Sequence, residues 1–260
     1  MTQRNLEIEK ITARESQHCY GMGLGVLILD DIYPGFPGDV RNASAFPYPI
    51  QYAIVEGVDI NRLVVEKDKS PCLPPIIDAA KKLENYGCKA LVAECGYFSY
   101  FQKEIAESVG VPVFSSSLLQ VPLAQQIVGS DRLVGILLAD LQYVTDHHLE
   151  SVNIKLGSNY VLEGAMDNGL CKEFDKLWTD GKRSDPPSAL YSKAKDELLD
   201  QAVTFFNHYE NMGALVLECS GFPPFARALQ QKIHIPVFSF GTLMDYAYSV
   251  SVHRDYYGHI

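Results

Sequence analysis

Cations are scarce in this sequence. Its 260 residues carry 22 Lys and Arg against 32 Asp and Glu, a formal net charge of −10 at pH 7. Gripping a phosphate backbone takes clustered cations, so nucleic acid is not expected as a partner. Long apolar runs are missing too. None approaches the roughly 20 residues that span a bilayer, and the first twenty residues, MTQRNLEIEKITARESQHCY, mix charge with polarity where a secretory leader would be apolar. No membrane partner and a cytoplasmic location are therefore expected. Six cysteines are too few for a disulfide scaffold, and none stands in a CxxC pair; free thiols are expected. No GxxxxGK[ST] segment is present. Gly21-Met22-Gly23-Leu24-Gly25 has the glycines of a dinucleotide loop but precedes its strand, the wrong side for a pyrophosphate. The composition that remains, 47% hydrophobic and 21% charged, is that of an ordinary globular chain, long enough for one large or two small domains.

The clearest positive signal is an internal repeat. Ala90 to Ser115 (ALVAECGYFSYFQKEIAESVGVPVFS) aligns without a gap to Ala214 to Ser239 (ALVLECSGFPPFARALQQKIHIPVFS) at an offset of 124, with eleven of 26 positions identical. Each copy reads as a short apolar strand, a turn carrying Glu-Cys, an amphipathic helix and a second strand ending in Phe-Ser. A weaker echo links GVLILD at Gly25 to Asp30 with GILLAD at Gly135 to Asp140. Continuous apolar runs of this kind suit strands buried on both faces of a parallel sheet. The chain is thus expected to be α/β, two similar units made by duplication: residues 1–117 plus 239–260 around Cys95, and residues 118–238 around Cys219.

Other elements fill in around the repeat. A strand is expected over Pro49–Gly57, a helix over Leu73–Tyr86 stopped by Gly87, a short strand over Tyr160–Ala165, and helices over Asn168–Arg183 and Ser192–Asn211, with a proline-punctuated loop at Ser184–Ser188 between them. The longest irregular stretch, Asp30–Pro49, follows the first buried strand, where open parallel sheets place their ligands.

Cys95 and Cys219 hold matching places in the two copies, each after a buried strand and before a helix. A helix N-terminus there would lower a thiol pKa. The plainer reading is a small hydrophobe copied with its gene. Two thiols facing one cleft could form a disulfide, but acid–base work suits them better: one takes a proton from a carbon acid and the other delivers one from the opposite face. Glu94 and Glu218 precede the cysteines; strand alternation would turn them away from the cleft into structural bonds.

The segments Ile32 to Phe46 (IYPGFPGDVRNASAF), Glu94 to Gln102 (ECGYFSYFQ), Val111 to Leu123 (VPVFSSSLLQVPL) and Leu217 to Phe225 (LECSGFPPF) resemble the aspartate/glutamate/hydantoin racemase superfamily. The resemblance covers Leu24 to Tyr246 and is closest to an uncharacterised branch related to the algal dimethylsulfoniopropionate lyases. It implies two pseudo-symmetric Rossmann-like domains with parallel sheets and the active site between them. It also implies Cys95 and Cys219 as paired acid and base, no cofactor, no metal, a small carboxylate as substrate, and a homodimer. Many amino-acid racemases of the superfamily have Asn-Thr after the first cysteine and Thr after the second; here Gly96-Tyr97 and Ser220-Gly221 stand there. The resemblance implies racemisation or epimerisation of an α-substituted carboxylate. Two alternatives stay open: a lyase that uses the same proton abstraction for β-elimination, and a ligand-binding relative without catalysis.

Substrate contacts are expected from Gly96, Tyr97, Ser220 and Gly221 beside the cysteines, and from Arg41 and Asn42 on the long loop, near Asp39, where a guanidinium and an amide could meet a carboxylate. The plainer reading of the loop is turn chemistry at Pro37-Gly38-Asp39. Ser116 and Ser117, after Ser115, could line the cleft or cap the next helix. Thr145 has the same two readings, with capping favoured. Asp146-His147-His148 with Glu150 does not suit one metal ion, because adjacent histidines point to different sides of a helix. Cys19, Cys72, Cys88 and Cys171 have no repeat partners and read as packing, and Trp178 reads as helix packing or a subunit contact.

Overall fold

The computed structural model describes residues 10, 12, 13, 15, 17, 19–167, 169–179 and 181–256. Strand β1 (Leu24–Leu29) is an apolar run buried along nearly its whole length. With β2 (Ile50–Val55), β3 (Ala90–Ala93) and β4 (Val113–Phe114) it forms a four-stranded parallel sheet in the order β2-β1-β3-β4. Alternate residues of the central strands serve different cores. Leu27, Leu29, Leu91 and Ala93 meet Ile76, Ala80 and Leu83 of helix α1 (Leu73–Asn85). Leu24, Val26, Ala90 and Val92 meet Phe240, Leu243 and Met244 on the other face. Helices on both faces explain why these strands carry no polar stripe. Gly87, at φ 86°, makes the left-handed turn out of α1 that the sequence pattern predicts.

Helices α2 (Gln102–Ser108) and α3 (Val121–Val128) lead into the second half. There β5 (Leu133–Leu138), β6 (Tyr160–Gly164), β7 (Met212–Leu217) and β8 (Val237–Phe238) form another parallel sheet, ordered β6-β5-β7-β8. The duplication extends to single bonds: the Glu94 N–H donates to Leu27 O at 2.8 Å, and the Glu218 N–H to Leu137 O at 2.9 Å. The second half also contains α4 (Asp146–Glu150), α5 (Lys172–Asp175), α6 (Tyr191–His208) and α7 (Pro223–Ile233), and α8 (Phe240–Ser251) follows β8.

The halves exchange helices. After β4 the chain crosses over and α3 packs on β5 and β7; after β8 it crosses back and α8 packs on β1 and β3. Side chains tie the crossing: Ser117 Oγ donates to Leu217 O at 2.6 Å, Gln120 Nε2 to Ser239 O at 3.0 Å, and Thr242 Oγ1 to Gln120 Oε1 at 2.7 Å. These bonds bring the C-terminal ends of β3 and β7 face to face.

One expected helix is much shorter than the pattern implies. Of Asn168–Arg183, only α5 is helical, followed by turns; Asn168 and Asp180 lie outside the described residues. Trp178 turns inward onto Tyr33, with ring centroids 4.0 Å apart, and the Asp175 carboxylate gathers the Thr179 hydroxyl and the Lys182 ammonium. Those contacts replace the next helical turn. No helix among the described residues is long and apolar enough to cross a membrane.

Candidate active site

The repeated Glu-Cys-x-x-Phe segment builds the same corner twice. The Phe98 N–H closes onto Cys95 O at 3.0 Å, and the Phe222 N–H onto Cys219 O at 3.1 Å. Both phenylalanines are fully buried, in separate cores. Each corner is therefore anchored by its ring and leaves its cysteine at the strand end. The two thiols line one cavity of about 460 Å³. Gly96, Tyr97 and Ser220 line it beside them, so five of the residues singled out in the sequence come together here.

The glutamates do not turn away. Alternation does place each on the face opposite its cysteine, and each makes the structural bond expected of it: Glu94 Oε2 accepts the Leu29 N–H at 2.9 Å, and Glu218 Oε2 accepts the Ala139 N–H at 3.2 Å. Yet both carboxyls line the cavity, because they stand at the open ends of the strands. Glu94 is further held by Arg41, whose Nε lies 2.9 Å from Oε1, and by the Tyr33 hydroxyl, which donates at 3.1 Å. Burial pushes the Glu94 carboxyl up and Arg41 pulls it back. Burial pushes Glu218 up to about 7, with only the Ala139 N–H opposing it.

The thiols also depart from the sequence reading, in the opposite sense to a helix-activated cysteine. Both are pushed well above the usual thiol range, first by burial and then by the charge of Glu218. The Tyr97 N–H beside Cys95 and the Gly221 N–H beside Cys219 pull the other way and do not win. Cys95 opens a 3-10 turn, Gly96–Phe101, and α7 starts only at Pro223. The helix field falls off within a turn, so desolvation dominates.

Other expected contacts lie elsewhere. Arg41 is spent on Glu94 and on the carbonyls of Leu29, at 2.8 Å, and Asp31. Its own N–H donates to Asp39 Oδ1 at 2.8 Å. Asn42 donates to Gly35 O at 3.2 Å and accepts from Ser44, holding the loop instead of facing the cavity. Ser116 caps the turn that follows it and Ser117 bonds across the halves. Thr145 forms a capping box with the buried His148, and Gly221 packs against Phe174 and Trp178. All six cysteines are free; Cys72, Cys88 and Cys171 are buried as packing, whereas Cys19 is exposed.

Solved structures share this architecture. Allantoin racemase from Klebsiella pneumoniae superposes with a TM-score of 0.62 at 13% identity, covering 88% of this chain and 87% of its own. A mutant arylmalonate decarboxylase in a sulfate-associated form gives 0.58 at 14%, covering 91% and 98%. Aspartate racemase from Picrophilus torridus gives 0.51 at 16%, covering 89% and 94%. The chain has the fold of the aspartate/glutamate/hydantoin racemase superfamily. In sequence, the chain is similar to lyases. Dimethylsulfoniopropionate lyase of Durusdinium sp. clade D is 27% identical over 221 residues, 83% of this chain and 70% of that protein. Dimethylsulfoniopropionate lyase 3 of Emiliania huxleyi is 28% identical over 228 residues, 83% of this chain and 56% of that protein. The chain thus spans little more than half of the Emiliania protein. No family model matches the sequence.

The rest of the superfamily-type cavity was not marked by any motif. Asp140 and Asp167 follow β5 and β6, Tyr143 sits on the next turn, Asp175 ends α5, and Trp178 and Lys182 come from the segment after it. The rule that ligands sit at strand C-terminal ends points to Asp140 and Asp167. Trp178, read as packing, lines the cavity as well as packing on Phe174. Burial raises Asp167 to about 6, with neighbouring Asp140 adding to it.

Proposed function

We propose that this protein is a cofactor-independent lyase in which a cysteine thiolate removes the proton α to a carboxylate while a β-onium group leaves, with dimethylsulfoniopropionate or a close analogue as substrate. The observation that carries this reading is the charge and aromatic lining of the cavity. Glu94, Asp140, Asp167, Asp175 and Glu218 line it against one cation among the described residues, Lys182, which is itself 2.5 Å from Asp175. Tyr97, Tyr143 and Trp178 add ring faces. Such walls favour a cationic centre through both Coulomb attraction and ring quadrupoles. A dicarboxylate would find Arg41 already bound to Glu94. Asn61, Gln142, Ser220 and Lys182 are further polar side chains that line the cavity.

The chemistry balances without a redox partner. The Cα–H bond breaks and its proton goes to the thiolate. The electron pair forms the Cα=Cβ bond, and the Cβ–S pair leaves on sulfur, which becomes neutral. The products are acrylate and dimethyl sulfide, and the proton returns to solvent. A thiol pushed up by burial is a stronger base for so weak a carbon acid. Its low ionised fraction in the empty cavity is corrected when the sulfonium arrives, because an opposite charge a few ångströms away favours the thiolate.

Racemisation is the second reading. It is favoured by the duplication itself, which sets two equivalent thiols at one cavity. One incubation in D2O separates the two. The lyase reading expects dimethyl sulfide in the headspace and acrylate in solution. The racemase reading expects α-deuterium and loss of optical purity in single-enantiomer amino or hydroxy acids, with no volatile product.

A further inference from the structure

The two halves each bring one glutamate to the cavity and treat it differently. Glu94 is held by Arg41, whose Nε lies 2.9 Å from its Oε1. Glu218, its repeat mate, takes only the Ala139 N–H, and no cation among the described residues pairs with it. Its side chain reaches across the molecule: Oε1 lies 1.9 Å from where a Cβ on residue 96 would stand. Gly96 follows Cys95 and Glu218 precedes Cys219, so a single carboxyl lies between the two thiol-bearing corners. The missing Cβ of the glycine after Cys95 is the vacancy this carboxyl occupies. Its charge is the strongest charge acting on both sulfurs.

We propose that Glu218 is the proton store of the thiol pair: when a cysteine ionises, its proton passes to the Glu218 carboxylate, so that thiolate and carboxylic acid arise together. The S–H bond breaks with its electron pair left on sulfur, and an O–H bond forms on Glu218. The charge of the cavity is unchanged, and the like-charge opposition of an ionised Glu218 to a thiolate is removed. After the thiolate has taken the substrate's α-proton, Glu218 releases the surplus proton to solvent as product leaves. Burial sets this carboxyl to titrate at about 7, so it can both hold and release a proton near neutrality. The titratable groups that feel its charge are Cys95 and Tyr97 from the turn after β3 and Cys219 beside it; the phenol of Tyr97 is pushed far up by burial. This role deepens the thiol-base reading and rests on it.

Alkylation of Cys95 and Cys219 by iodoacetamide, read separately by peptide mass spectrometry across neutral pH, tests the pairing without any substrate. A thiol ionising alone gains reactivity about tenfold per pH unit up to its pKa. A thiol sharing its proton climbs to about pH 7 and then levels. Wild type is expected to break near pH 7 at both cysteines. E218Q, which keeps an acceptor for the Ala139 N–H, is expected to match wild type below pH 7, climb without a break, and exceed it about 100-fold two units higher. The same profile in both proteins would overturn the proposal. If E218Q does not fold, an unbroken climb in wild type overturns it alone. A broken profile without dimethyl sulfide release retains the proton store and refutes the lyase; release with an unbroken profile does the reverse.

Discussion

The phenol of Tyr97 bridges the two halves by bonding to both backbone groups of Asp140: the hydroxyl donates to Asp140 O at 2.5 Å and accepts the Asp140 N–H at 3.3 Å. Tyr97 follows the first cysteine and Asp140 follows the first strand of the other half. Tyr97→Phe keeps the ring but strands the half-buried N–H and C=O of Asp140. A loss of about 1–3 kcal/mol is expected, read as a lower urea midpoint with an unchanged m-value.

Arg41 and Glu94 make a prediction with the opposite emphasis to the sequence reading. If Arg41 serves Glu94 and not a substrate, Arg41→Met leaves a buried charge uncompensated and costs about 3–5 kcal/mol. Adding Glu94→Gln removes that charge and is expected to restore much of the loss. Thermal unfolding of the two variants checks this. A single variant as stable as wild type, with only its substrate KM raised, would return Arg41 to the substrate.

Stability should depend on pH in an uncommon direction. Asp39 and Glu218 titrate at about 7 in the fold because burial disfavours their charged forms, against about 4 when unfolded. The folded state therefore binds more protons between those values, and unfolding free energy falls as pH rises through that window. Each group accounts for on the order of 3–4 kcal/mol across the window. Denaturant midpoints are expected to be higher at about pH 5 than at about pH 8. Asp39→Asn or Glu218→Gln should flatten the curve.

Trp178 tests the cationic reading of the cavity. Its ring lines the cavity against Tyr33, and its indole Nε1–H has no partner. Trp178→Leu is expected to weaken binding of a trialkylsulfonium carboxylate about 5- to 30-fold, the range of a desolvated cation–π contact, while the isosteric neutral acid is little affected. Isothermal titration with the two ligands measures the difference. Equal losses for both would make Trp178 a packing residue.

Much of the fold was legible because it was written twice. The offset of 124 and the paired apolar strands specify two parallel α/β units, and the shared Glu-Cys-x-x-Phe corner specifies where they meet. The cavity's outer wall was less legible. Tyr143 and Trp178 have no repeat partners, and the place of Trp178 depends on how the chain after α5 folds back, which Trp178 and Asp175 decide through tertiary contacts. Period-two alternation assigned Glu94 and Glu218 to the correct strand face. It missed their place in the cavity, because at a strand's open end both faces look onto the same space. Local position likewise suggested acidic thiols, whereas burial, a property of the whole fold, pushes them up.

The central claim is that a thiolate of the Cys95–Cys219 pair takes the α-proton of an onium carboxylate. Headspace dimethyl sulfide from dimethylsulfoniopropionate, measured for wild type, Cys95→Ser and Cys219→Ser at equal folded concentration, tests it most directly. Release by wild type is expected, with a fall of at least about 100-fold in the variant that lacks the base, the usual weight of a positioned acid or base. No release by wild type, or release undiminished in both variants, would contradict it.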